Sequence, residues 1–168
     1  RAIAVNPGMA AAHNNRGNAL KALGRLETAL GSYDKTLSLS AGFADAHNNR
    51  GNVLLSLKRP EEALASYDQA VVLKPADPEV HNNRGNALMD LGRAGDALAA
   101  YDRALALKPS YAEACNNRGN ALLQLKRSGD ALASYDKALA LNARYAEAHN
   151  NRGNALKELG RPEEALAS

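Results

Sequence analysis

Aromatic residues, cysteine and long apolar runs are scarce in this chain of 168 residues. Tryptophan is absent and phenylalanine occurs once, at Phe43, which fits closely packed helices built on small residues. The lone cysteine, Cys115, excludes a disulfide within the chain and suits a reducing compartment, so we expect a cytoplasmic protein. No apolar run approaches the roughly 20 residues needed to cross a bilayer, and no signal-peptide pattern opens the sequence. The sequence predicts neither membrane insertion nor export.

A repeated segment dominates what is present. The residues HNNRGNAL, or a close variant, begin at five positions, each 34 residues after the last: His13, His47, His81, Cys115 and His149. A period of 34 residues is typical of helix-turn-helix solenoids, in which each unit buries its apolar face against its neighbours. The sequence therefore predicts an all-α array without a single globular core.

The repeat sets the expected domain organisation. With His13 as the fourth residue of a unit, residues 1–9 are the end of an earlier unit, full repeats cover 10–43, 44–77, 78–111 and 112–145, and 146–168 is a partial repeat. Pro60 fits the first turn of a second helix, and Pro75 follows its end. We expect a single array over residues 1–168, and its open ends suggest head-to-tail stacking in which 161–168 and 1–6 together nearly complete one helix.

Five residues of the second repeat carry a family pattern: Gly51, Ala63, Tyr67, Ala70 and Pro75. With them the whole chain resembles the tetratricopeptide repeat (TPR) family. The resemblance implies paired antiparallel helices in a right-handed superhelical solenoid, with the first helix of each pair on the concave surface. The chaperone-binding clamp of some TPR proteins needs cations where this chain has Asn48, Glu79 and Asn83, so the departure argues against that function.

The NNRGNAL segments are also similar to the TPR region of O-linked N-acetylglucosamine transferases, whose superhelix is lined by an asparagine ladder. On that resemblance the ladder residues are Asn15, Asn49, Asn83, Asn117 and Asn151. No catalytic domain of that family is present in the sequence. The resemblance therefore implies at most the recruiting arm of a larger bacterial enzyme.

Asparagine triplets are the main candidates for a binding site. Asn48, Asn49 and Asn52 are three and four residues apart, so they share one side of a helix. Amides offer donors and acceptors that can pair with the backbone of an extended peptide, although they can equally bond between helices. The predicted peptide-binding residues of the concave face are Asn14, Asn15, Asn18, Asn48, Asn49, Asn52, Asn82, Asn83, Asn86, Asn116, Asn117, Asn120, Asn150, Asn151, Asn154, Leu55, Met89, Leu123, Lys21 and Lys157.

Two further rows have alternative interpretations. Leu55, Met89 and Leu123 form an apolar row between Lys21 and Lys157 that suits varied side chains, or they only support helix packing. Arginines recur beside the asparagines, and aspartates recur on the second helices with the same period. We expect these arginines and aspartates to pair and fix the stacking of repeats, the alternative being that the arginines belong to the ligand site. The two sets are Arg16, Arg50, Arg84, Arg118, Arg152 and Asp34, Asp68, Asp102, Asp136.

Catalytic, metal and nucleic-acid functions find little support. Equivalent histidines on successive first helices are about 10 Å apart, whereas zinc needs its ligands about 2 Å from one ion. No nucleophile elbow, P-loop or HExxH motif occurs, so we predict no enzyme and no cofactor. A row of turn arginines from Arg25 to Arg161 could follow phosphates, but aromatic residues for base stacking are missing from the concave face.

The sequence thus predicts a scaffold that binds an extended protein segment along the first helices. Asparagines would hold the peptide backbone, and the apolar row would select side chains. The alternatives are the recruiting arm of a glycosyltransferase-like enzyme and an architectural array that associates end to end.

Overall fold

The computed structural model describes residues 7–166, and these form ten α-helices without a strand. The predicted all-α fold class is confirmed. In chain order the helices are α1 (Pro7–Ala22), α2 (Leu26–Leu39), α3 (Ala44–Ser56), α4 (Pro60–Leu73), α5 (Pro78–Asp90), α6 (Ala94–Leu107), α7 (Ala112–Gln124), α8 (Ser128–Leu141), α9 (Ala146–Glu158) and α10 (Pro162–Leu166).

The helices belong to two compact units, Arg1–Ala76 and Asp77–Ser168, called unit 1 and unit 2 below. In unit 1, α1 packs on α2, α2 on α3 and α3 on α4. In unit 2, each helix from α5 to α10 packs on the next one in the chain, and the first helices α5, α7 and α9 also contact one another in order. Each unit is therefore a stack of helix pairs, as expected from a 34-residue period.

A glycine and a tyrosine close each full helix pair. Tyr67 of α4 is fully buried, and a Cβ atom on Gly51 of α3 would lie 2.6 Å from its ring. The same contact joins Gly119 of α7 to Tyr135 of α8. Because glycine has no side chain, the tyrosine ring can lie directly against the backbone of the first helix. A larger residue at this position would clash with the ring.

The turns within pairs use left-handed backbone. Gly24, Gly92 and Gly160 have φ angles of 71°, 71° and 70°, and Lys58 and Lys126 adopt 60° at the equivalent place. The breaks between paired helices are thus where the sequence predicts them. Glycine takes this conformation with little strain, while lysine does so at a cost of about 1 kcal/mol or more.

α1 begins at Pro7, the first described residue, and α3 begins at Ala44. The residues 1–6, which head-to-tail stacking would use, lie outside the described part of the chain. Between residues 7 and 166, no helix is long and apolar enough to span a bilayer.

Candidate functional site

A groove of about 350 Å³ runs along the first helices of unit 2. It is called the first-helix groove below. Asparagines, carboxylates, a methionine and two tyrosines form its walls, so it offers hydrogen-bonding groups as well as apolar and aromatic contacts. The lining residues are Asn86, Met89, Asp90, Tyr101, Glu113, Asn117, Asn120, Tyr145 and Glu147.

The asparagines of neighbouring repeats are joined by hydrogen bonds. Asn117 of α7 donates its amide to the Oδ1 atoms of Asn82 and Asn86 on α5, both at 3.1 Å. Asn151 of α9 donates in the same way to Asn116 and Asn120 of α7, both at 3.0 Å. In unit 1, the amide of Asn49 repeats the arrangement towards Asn14 and Asn18, at 3.3 and 3.1 Å. The second asparagine of a triplet therefore ties its helix to the preceding first helix.

The other two asparagines of a triplet have different partners. The third accepts from the tyrosine hydroxyl of its own pair, as Asn120 does from Tyr135 at 2.8 Å. The first asparagine of a triplet donates to a carboxylate in the first turn of the following repeat's first helix. Asn116 of α7, for example, donates to Glu147 of α9 at 3.0 Å. Because Asn116 is fully buried, its hydrogen bonds also remove the cost of burying an amide.

The structure thus divides the predicted asparagines into two groups. Asn14, Asn82 and Asn116 are buried. The remaining asparagines are partly or fully exposed, and those that line the first-helix groove are Asn86, Asn117 and Asn120. The alternative that asparagines bond between helices describes the buried set.

The predicted apolar row and its flanking lysines are also divided. Met89 lines the groove, whereas Leu123 packs against the core residues around Tyr135. Leu55 of unit 1 is half-buried, and Lys21 and Lys157 are exposed. Within unit 2, Met89 is therefore the member of the row that a ligand in the groove would touch.

The predicted arginine–aspartate pairs are present. Arg118 of α7 donates from Nε to Asp102 of α6 at 2.6 Å and from Nη1 to the hydroxyl of Ser134 on α8 at 2.7 Å. Arg50 pairs with Asp34 at 2.7 Å and Arg152 with Asp136 at 2.6 Å. Each pair joins a first helix to the second helix of the preceding repeat. These three predicted pairs therefore join neighbouring repeats.

The turn arginines do not form a free basic row. Arg59, Arg93, Arg127 and Arg161 each form an ion pair with an acidic residue three positions later, at 2.6 to 2.7 Å. Such exposed pairs contribute little to stability, but they offset the positive charge that phosphates would need. Four of the five turn arginines are therefore partly neutralised, which weakens the case for phosphate binding.

Two histidines contact backbone carbonyl groups, and the one cysteine is buried. The Nε2 atoms of His47 and His149 lie 2.9 and 3.0 Å from the carbonyl oxygens of Ala41 and Ala143. Cys115 is buried, and burial raises the pKa of its thiol, which disfavours the reactive thiolate. Within residues 7–166, no three His, Cys, Asp or Glu side chains come together as a metal site.

The predicted binding residues do not include Tyr145, Glu113 or Glu147, which line the groove. An acidic residue in the first turn of a helix is also explained by the positive end of the helix dipole, so the two glutamates do not by themselves indicate a ligand site. The three residues share a position that the sequence pattern could have revealed, the start of a first helix. Tyr145 directly precedes α9, and Glu113 and Glu147 lie in the first turns of α7 and α9. These first turns border the same groove.

Comparisons with known proteins identify the family. A family model described as TPR repeat matches residues 17–58, 51–92, 85–126 and 119–160. None of the curated proteins matches the sequence closely enough to count as a relative.

Several solved structures are similar in fold. YrrB, described as a TPR protein with an unusual peptide-binding site, is 26% identical with a TM-score of 0.77, over 92% of this chain and 80% of that chain. MamA from Desulfovibrio magneticus RS-1 is 18% identical with a TM-score of 0.87, over 95% and 90%. PilF from Pseudomonas aeruginosa is 23% identical with a TM-score of 0.85, over 95% and 73%. With the family model matching most of its length, the chain belongs to the TPR repeat family.

Proposed function

We propose that the chain is a non-catalytic scaffold that binds an extended peptide in the first-helix groove. The main support is a set of polar groups in the groove that the hydrogen bonds between asparagines leave without a partner. The Oδ1 atoms of Asn86 and Asn120 each accept from a tyrosine hydroxyl and from the amide of the next repeat. Their Nδ2 groups, and the Oδ1 of Asn117, have no hydrogen-bond partner among the described residues.

These groups suit the backbone of a peptide. Two amide donors and one carbonyl acceptor line the same groove, and an extended backbone presents carbonyl and N–H groups alternately along its length. Their orientation is fixed in advance, because the opposite ends of the amides are held by other residues. Such preorganisation lowers the entropy lost on binding. Met89 adds a flexible apolar contact that accommodates different side chains.

The family supports a protein-binding role. The TPR fold is typical of proteins that bind other proteins, and YrrB is described as having a peptide-binding site. The narrower predictions remain proposals: a recruiting arm of a glycosyltransferase-like enzyme, end-to-end association and a cytoplasmic location. The groove supports peptide binding, which the scaffold and the recruiting arm share, over end-to-end association alone.

A plug in the groove tests the proposal. Alanine in place of an asparagine would remove bonds between helices, so we choose Met89→Trp, which fills the groove from a half-buried position. The matched control is Ala99→Trp on α6, an exposed residue that does not line the groove. Displayed random peptides are selected on the wild-type chain, and the affinity of selected peptides is measured for all three proteins by fluorescence anisotropy.

We expect Met89→Trp to weaken binding about tenfold or more, equivalent to at least about 1.4 kcal/mol. Ala99→Trp should bind like the wild type, and circular dichroism should show the same helix content in each protein. Failure to select any peptide, or equal binding by Met89→Trp, would refute the proposal.

A further inference from the structure

One position after the second helices is occupied by lysine in two repeats and by asparagine in the next: Lys74, Lys108 and Asn142. The Nζ atom of Lys74 lies 2.6 Å from a carboxylate oxygen of Asp45 within unit 1. The Nζ atom of Lys108 lies 4.8 Å from the centre of the Tyr111 ring in unit 2. In both repeats the chain itself supplies a cation to a carboxylate or an aromatic ring of a first helix or its preceding loop.

The repeat 112–145 lacks this cation, as does the repeat 10–43, where Ser40 holds the position. Asn142 instead accepts a hydrogen bond from the backbone N–H of Arg144 through its Oδ1. The residue equivalent to Asp45 is Glu113, and the residue equivalent to Tyr111 is Tyr145. Both line the first-helix groove. Among residues 7–166, no lysine or arginine pairs with Glu113 or lies over the Tyr145 ring.

The groove is negatively charged although the chain carries a net charge of +3. Asp90, Glu113 and Glu147 line it, and no basic residue appears among the described lining residues. Glu113 and Glu147 each accept an asparagine amide through Oε1, which leaves Oε2 open. Asp90 is the last residue of α5, where the negative end of the helix dipole makes a carboxylate unfavourable unless a cation is near.

The tyrosines of the groove experience the same negative potential. Burial first, and then the charges of Glu147 and Glu113, raise the pKa of the Tyr145 phenol. Burial, followed by Asp90 and Glu113, does the same for the pKa of Tyr101. Two rings contributed by different parts of unit 2 are therefore both close to carboxylates that pair with no lysine or arginine among residues 7–166.

We propose that the first-helix groove binds a lysine or arginine side chain of an extended peptide, in the place that a lysine of the chain takes in other repeats. The inference rests on the proposed function and adds the chemistry of the ligand. The apolar stem of the side chain contacts Met89, and its cation lies on the Tyr145 ring between Glu113 and Glu147. Phosphate groups are repelled by the same carboxylates.

Restoring the missing lysine gives a direct test. In Asn142→Lys, the chain supplies its own cation to Glu113 and Tyr145, as Lys108 does to Tyr111. The matched control, Ala140→Lys, adds the same charge at an exposed position of α8 outside the groove. Peptides are selected from a random displayed library, and each selected sequence is also synthesised with glutamine in place of lysine and arginine.

We expect the selected peptides to be enriched in lysine and arginine. The glutamine versions should bind about tenfold more weakly, as expected for losing an ion pair and a cation–π contact together. Asn142→Lys should weaken binding of the selected peptides to a similar extent, and Ala140→Lys should not.

The outcomes separate this inference from the proposed function. Peptides that Met89→Trp fails to bind, but that show no preference for cations and bind Asn142→Lys normally, would refute the cation site and leave the scaffold standing. A wild-type chain that selects no peptide would refute both.

Discussion

The glycine and tyrosine of each repeat depend on each other at the level of single residues. Tyr67 is fully buried, so its ring has no free space into which it could move. A methyl group on Gly51 would lie 2.6 Å from that ring. Glycine is a poor helix former, yet here its lack of a side chain allows the hydroxyl of Tyr67 to donate a hydrogen bond to the Oδ1 atom of Asn52 at 2.7 Å. Removing the glycine would therefore disturb packing and the hydrogen bond together.

We predict that Gly51→Ala lowers the free energy of unfolding by about 1–3 kcal/mol, because an overpacked core costs more than the gain in helix propensity. The matched control is Gly31→Ala on α2, an exposed helical glycine with nothing within 4 Å of its added methyl group. That change should instead stabilise the protein by roughly 0.5–1 kcal/mol. Urea unfolding followed by circular dichroism compares the two variants. Stabilisation by both would show that the tyrosine ring moves freely.

At the level of helices, the asparagine network adds hydrogen bonds to the packing between first helices. Amide bonds join α5 to α7 and α7 to α9, and Asn82 and Asn116 are fully buried. Hydrogen bonds have strict distance and angle requirements, so they fix the relative position of two helices more sharply than apolar contacts do. A bond of this kind is costly to break when one partner stays buried.

Asn117→Asp tests the network. The change removes both N–H donors and places a carboxylate opposite the oxygens of Asn82 and Asn86, so we expect the free energy of unfolding to fall by about 2–4 kcal/mol. The equivalent Asn15 of α1 is exposed and has no hydrogen-bond partner within residues 7–166. Asn15→Asp should change stability by less than about 0.5 kcal/mol. Thermal unfolding measures both, and equal losses would contradict the assigned role of Asn117.

The sequence predicted the helices well and the groove only partly. Its period placed the turn at Lys58 and the buried Tyr67, because helix pairing depends on spacing along the chain. It could not separate Asn116, which is buried, from Asn120, which lines the groove, since both lie on the same side of α7. Their roles are decided by partners on α5 and α9, and no pattern within one helix contains that information.

For the whole molecule, buried tyrosines link folding to alkaline pH. Burial raises the pKa of Tyr33 to about 12, and burial together with nearby carboxylates raises that of Tyr111 to about 12. Burial is also the main cause of the raised pKa values of Tyr101 and Tyr135. In an unfolded chain these phenols ionise near pH 10.

We therefore predict that stability is unaffected by tyrosine ionisation below about pH 10 and falls as pH rises from about 10 to 12. In that window the folded protein keeps protons that the unfolded chain has released, so rising pH favours unfolding. Tyrosinate absorbance and far-ultraviolet circular dichroism should change together in an alkaline titration. Complete ionisation near pH 10 with the helices intact would contradict the prediction, and the chain unfolded in guanidinium provides the reference titration.

The hydrogen bonds between repeats also determine how such a chain can change its length. Asn151 bonds to residues 35 and 31 positions earlier, Asn116 and Asn120. If residues 112–145 were deleted, Asn82 and Asn86 would take over as its partners, because they occupy the same two positions one 34-residue period before. The loss of a single residue from a helix would instead misalign every bond on one side of the change. Deletion or insertion of a whole repeat would thus shorten or lengthen the array while preserving the asparagine bonds between repeats.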